Sequence, residues 1–124
     1  MKKLITLFVS VIALNASAQN SKFEKAMMKN VSMMDTASAT ETWQTITNNV
    51  ERMAVAEPKE WLAQYYAAYS NLILGIYQSE NSTKDSYYDR AITFIDKADS
   101  IQANNSEIYA LRGFNGSICR CDRN

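Results

Sequence analysis

The amino-acid sequence predicts an all-α fold of antiparallel helical hairpins, with a four-helix bundle as the alternative arrangement. Three observations carry this. One proline and three glycines in 124 residues leave few enforced breaks in the backbone. Apolar residues recur at steps of three and four rather than two, which is the period of a helix face and not of a strand. Short clusters of Asn, Ser, Thr and Asp interrupt those runs at the places where a helical chain would have to turn.

The N-terminus reads as an address label. Lys2 and Lys3 precede an apolar run from Leu4 to Leu14, and Ala16-Ser17-Ala18 closes it with small residues at the two positions a signal peptidase reads. The run is too short to cross a bilayer. Residues 1–18 are therefore expected to be a signal peptide cleaved before Gln19, giving a secreted or periplasmic protein with no stable membrane insertion once the signal is gone. No cysteine follows the cleavage site to carry a lipid.

Without Lys2 and Lys3, eleven basic side chains face thirteen acidic ones. The basic residues are dispersed singly among acids, so the chain lacks the clustered Lys and Arg that neutralise phosphates, and nucleic acid is not an expected partner. What remains suffices for one small domain. It is assigned to residues 19–114, and residues 115–124 to an irregular tail.

The first helix is expected from about Lys22 to Met34, with Phe23, Met27, Val31 and Met34 as its apolar stripe and Met28 and Met33 widening it. Methionine at these positions serves as core filler or as an adaptable binding surface. Asp35 to Ser38 punctuates. Thr40 or Ser38 is the expected cap of a second helix running to about Glu57, with Glu41 favouring its N-terminal dipole and Trp43, Ile46, Val50 and Met53 facing inward.

Pro58 stops that helix or opens the next. The third helix, Pro58 to about Gln78, is apolar around nearly its whole circumference, which predicts an element covered by neighbours on several sides. Its tyrosines, Tyr65, Tyr66, Tyr69 and Tyr77, combine rings that favour burial with hydroxyls that need a polar partner. That suits either the rim of a core or a peptide-binding groove. Ser79 to Ser86 contains no apolar residue and reads as a loop, after which Asp85 or Ser86 would cap a fourth helix with Tyr88, Ala91, Ile92, Ile95, Ala98 and Ile101 buried.

Asn104-Asn105-Ser106 breaks the pattern, and a fifth helix opens at about Glu107. It offers Ile108, Tyr109, Leu111 and Phe114 before glycine, serine and basic residues follow from Asn115. A helix ending there would shield the fourth helix incompletely, which predicts self-association through the fourth and fifth helices.

From Tyr87 to Gly113 the sequence resembles a tetratricopeptide repeat. Ala91 and Ile95 take the repeat's alanine and large-apolar places, Ala98 is its second small contact, and Tyr109 with Gly113 takes the aromatic and glycine places of a following unit. Ala103 stands where the repeat usually closes on proline, Leu111 lies one residue early with Arg112 in its place, and Gly116 replaces the next aromatic. The resemblance implies an irregular array of stacked hairpins that breaks off inside a repeat. It also implies a protein or peptide partner bound on the face lined by the first helix of each pair, here the first, third and fifth.

Residues with chemistry to offer are few. The chain has no histidine. Cys119 and Cys121 fall short of a zinc ligand set and lack the spacing of a redox pair. Asp85 and Asp89, one turn apart, fit the charge preference of a helix start better than an acid–base pair. No catalytic residue, cofactor or metal ligand is assigned. The function expected is that of an exported, non-catalytic protein–protein interaction or scaffold module. A self-associating structural bundle is the alternative, and a small enzyme ranks behind both.

Overall fold

The computed structural model describes residues 21–121. The segment expected to be a signal peptide, residues 1–18, and the end of the expected tail, residues 122–124, lie outside them. The described residues form five helices and no strand: α1 (residues 21–36), α2 (Thr40–Ala56), α3 (Trp61–Ile76), α4 (Asn81–Ile101) and α5 (Ser106–Cys121). Connections of three or four residues force successive helices to run antiparallel. The hairpins expected from the sequence are therefore the architecture.

Helix α3 is the central element, packed chiefly against α4 and α2 and touching α5. Helix α3 shares one cleft with α1 and touches α5, and these three are grouped as one layer; α2 and α4 share a second cleft and are grouped as the other. The buried side of α3 is built from small and polar residues, Ala63, Gln64, Ala67, Ala68, Ser70, Asn71 and Gly75, together with Leu72 and Leu74. Small side chains allow neighbouring backbones to come close, so the large rings of α3 are displaced to the edges. The amide nitrogens of Gln64 and Asn71 are satisfied locally, while Gln64 Oε1 and Asn71 Oδ1 are buried without a hydrogen-bond partner among the described residues. Gln64 Nε2 donates to the Ala54 carbonyl at 2.8 Å, and Asn71 Nδ2 donates to the Ala67 carbonyl and to Glu51 Oε1, both at 2.8 Å.

Several helix ends differ from expectation. The residue before α2 is Ala39, in an extended conformation and without a side-chain cap. Its carbonyl accepts the Thr42 and Trp43 amides at 3.1 and 3.2 Å, and Thr40 is already the first helical residue. Ser38 and Thr40 are thus not caps. Pro58 does not open α3. The Glu60 amide donates to the Glu57 carbonyl at 3.0 Å, closing a turn in which Pro58 holds the second position that its fixed φ suits, and α3 begins at Trp61.

The expected loop of Ser79 to Ser86 is mostly helix. Glu80 precedes α4, which starts at Asn81 and places Asp85 and Ser86 inside its opening turns, where neither caps it. These turns lie mostly in solvent, so their polarity records exposure rather than loop structure. Further along α4, Tyr88, Ala91, Ile95 and Ala98 are buried as the periodicity requires and are joined by Phe94, while Ile92 and Ile101 are half-buried.

Between α4 and α5, Asn104 takes a left-handed conformation (φ 61°), which Asn tolerates better than most residues. Asn105 then caps α5, its Oδ1 accepting the Glu107 amide at 2.9 Å. Helix α5 does not end at Phe114. Ile108, Leu111, Asn115 and Ile118 continue one stripe at steps of three, four and three. Asn115, only 3% exposed, is its polar member, and its Oδ1 accepts the Cys119 thiol at 3.6 Å. Residues 115–121 thus belong to the helical unit rather than to an irregular tail.

Candidate functional site

The tyrosines expected at a core rim or a groove line a cleft between α1 and α3, on the layer formed by α1, α3 and α5. Its walls are Val31, Met34 and Asp35 from α1 and Tyr65, Tyr66 and Tyr69 from α3, and its volume is about 200 Å³. Asp35 belongs to the last turn of α1. Residues 65, 66 and 69 lie at the helical steps that put them on one side of α3, adjoining the side occupied by its buried small residues.

The rings hold one another in place. Tyr65 and Tyr66 meet edge to face with centroids 5.2 Å apart, and Trp61 packs against Tyr65 in the same manner at 6.1 Å. Trp43 of α2 anchors Tyr69 from behind at 6.2 Å. Edge-to-face aromatic pairs of this kind stabilise by about 0.5–1.5 kcal/mol beyond the area they bury, which makes the wall a fixed surface rather than a set of independent side chains.

Negative charge acts on the rings from two helices. The Tyr65 phenol is held above its ordinary pKa of 10.0 by burial first, and then by the charge of Glu107 in the first turn of α5. Burial also raises Tyr66, followed by the charge of Asp35. At neutral pH both phenols are therefore protonated, with hydroxyls able to donate and ring faces that attract positive charge. Sequence periodicity suggested the tyrosines but left their side of the core open. Asp35 and Glu107 read only as punctuation and helix start, because nothing in the sequence brings the end of the first helix to the start of the fifth.

A larger cleft of about 670 Å³ lies between α2 and α4 on the opposite layer, lined by Asn48, Glu51, Arg52, Val55, Ala56, Arg90 and Phe94. Its charges are largely committed to one another. Glu51 Oε2 accepts Arg90 Nη2 at 2.7 Å while its other oxygen holds Asn71, and Arg52 donates to Asn49 Oδ1 at 2.8 Å. These contacts tie α2 to α3 and α4.

Of the methionines in α1, Met27 is buried and Met33 and Met34 pack against the core, so the stripe is mainly filler; Met28 alone is exposed. Asp85 and Asp89 are both exposed on α4. Among the described residues no three His, Cys, Asp or Glu side chains are grouped so as to hold a metal ion, and no helix is long and apolar enough to cross a membrane. Comparison with protein-family models, curated proteins and solved structures finds no match.

Proposed function

We propose that this chain is an exported, non-catalytic helical-hairpin module of tetratricopeptide-like type that binds a protein or peptide segment through the layer of α1, α3 and α5. The observation that carries the reading is the fixed aromatic wall of Tyr65, Tyr66 and Tyr69 beside a concave cleft. Half-covered tyrosines supply large contact area with few rotatable bonds and a hydroxyl for hydrogen bonding, which is the composition favoured at binding surfaces. Burial of Ala91, Ile95 and Ala98, the positions that carry the repeat resemblance, supports the same reading.

Selection of binding peptides from a random display library, on the protein beginning at Gln19, tests it. Selected peptides should lose at least about tenfold in affinity on Y66A, the range of a binding hot spot, and be unaffected by V55S on the opposite layer. Peptides insensitive to substitutions at Tyr65, Tyr66 and Tyr69 would overturn it. Intact mass of the exported protein tests the compartment, with a start at Gln19 expected and retention of Met1 counting against export by a cleaved signal.

Self-association is the second reading, and exposed aromatics on α5 favour it: Tyr109 and Phe114 are 49% and 43% exposed. Sedimentation over a range of concentrations separates the two, since a monomer at all concentrations leaves only the heterologous partner.

A further inference from the structure

Resting on that reading of the α1, α3 and α5 layer, we infer that the cleft between α1 and α3 receives a basic side chain, arginine above all, from the bound protein segment. Size comes first. At about 200 Å³ the cleft is smaller than the roughly 300–1,000 Å³ of small-molecule sites, and matches one long side chain better than a cofactor.

Charge decides which side chain. Three electron-rich tyrosine rings line the cleft, Asp35 stands in the wall, and the charge of Glu107 on α5 acts on Tyr65 and Tyr66. None of the residues lining the cleft is basic. A carboxylate entering here would meet the like charge of Asp35 with no cation in the wall to pair with. A cation would meet aromatic rings and the Asp35 carboxylate together, a combination that attracts it by both routes.

Shape then separates arginine from lysine. Val31 and Met34 offer an apolar strip for an aliphatic stem. A planar guanidinium can lie flat on a tyrosine ring while donating in its plane to a carboxylate, which a compact ammonium cannot do. Asp35 and Glu107 are both exposed and held by no ion pair with a lysine or arginine of the described residues.

The test is a titration of ring-labelled tyrosine protein, followed by NMR, with a Gly/Ser nonapeptide carrying one central arginine and with its citrulline, lysine and glutamate counterparts. Citrulline keeps the shape of arginine and removes its charge. The Tyr65 and Tyr66 resonances should shift with the arginine peptide, less with lysine, and little with citrulline or glutamate. D35N or E107Q should weaken the arginine peptide about two- to fivefold each, the range of one exposed cation contact, with the difference shrinking at high salt. Both residues are exposed, so neither substitution threatens the fold.

Equal response to citrulline and arginine, or indifference to both carboxylate substitutions, overturns the inference. Library-selected peptides that bind this layer through Tyr66 but place an acidic or neutral residue against it would sink the arginine assignment and leave the proposed function standing. Failure of every peptide to perturb any of the three tyrosines would remove both.

Discussion

Gly75 of α3 lies against the ring of Tyr88 of α4: a Cβ at position 75 would stand 2.6 Å from Tyr88 Cε1 and 3.1 Å from the Cβ of Tyr87. Tyr88 is itself fully buried and has nowhere to retreat. Gly75→Ala should therefore destabilise the fold. Alanine gains about 1 kcal/mol of helix propensity, but overpacking a filled contact costs about 1–3 kcal/mol. Denaturant unfolding of G75A, Y88L and the double variant is the measurement. A double variant more stable than the sum of the singles identifies the ring as the obstacle, whereas strict additivity would remove the close contact.

A second packing test lies at Ala98, which is 1% exposed on α4. Ala98→Leu adds three carbons to a filled interface and should cost about 1–3 kcal/mol. A thermal melt indistinguishable from the parent would mean that α4 can shift, and the packing that supports the repeat resemblance would lose its mechanical basis.

Glu51 joins three helices and should behave unlike a surface ion pair. Its side chain is 15% exposed and accepts from Asn71 of α3 as well as from Arg90 of α4, which is 59% exposed. Removing Arg90 forfeits an exposed pairing, typically about 0–1 kcal/mol. Glu51→Ala also takes an acceptor from the buried Asn71 amide, and should cost about 1–3 kcal/mol. Glu51→Gln retains one oxygen for Asn71, so its stability should fall near that of R90A. Equal losses in E51A and R90A would show that the bond to Asn71 contributes nothing.

What the sequence made legible, and what it did not, follows from how each residue is exposed. Trp43, Ile46 and Val50, and likewise Ala91, Ile95 and Ala98, were readable because burial on one side of a helix leaves a period. The opening turns of α4 were not, since solvent-facing helix and solvent-facing loop share a composition. Asn115 misled for the opposite reason: a polar residue in a buried stripe looks like its end. The tyrosine wall was legible as chemistry only. Its setting depends on α1 and α5 flanking α3, and the carboxylates that act on it, Asp35 and Glu107, come from opposite ends of the described chain.

The raised pKa values of Tyr65 and Tyr66 make stability fall at alkaline pH. Each phenol holds its proton to higher pH in the folded chain than in the unfolded one, where it titrates near 10.0. Below 10 both states are protonated and the full stability is present. Above it the unfolded chain releases protons first, and the favourable difference is lost as pH climbs through the folded values. Ring-resolved titration should find both phenols late. E107Q should move Tyr65, and D35N Tyr66, part of the way back, with burial maintaining the rest. A Tyr66 titration unchanged by D35N would dissociate Asp35 from the cleft.

The continuation of α5 past Phe114 gives the most direct test of the fold's end. Ile118 and Cys119 pack against the core from its last turns. Ending the chain after Phe114 would remove both and shorten α5 from its 16 residues to a stub of about two turns, a length at which a helix is marginal even with a good sequence. Covering an isoleucine is worth about 1.5–3 kcal/mol when complete, so a half-covered Ile118 together with the lost turns should cost about 2–3 kcal/mol. That is a large share of the roughly 5–15 kcal/mol that holds a domain together. I118A alone should cost less than the deletion, and S117A, on the exposed side, close to nothing. Hydrogen exchange on the intact chain gives the independent reading: amides from residue 115 to 120 should be protected with the rest of α5. Exchange there at the unstructured rate, or a truncated chain as stable as the full one, would end the helix at Phe114 and uncover the side of α4 that α5 shields.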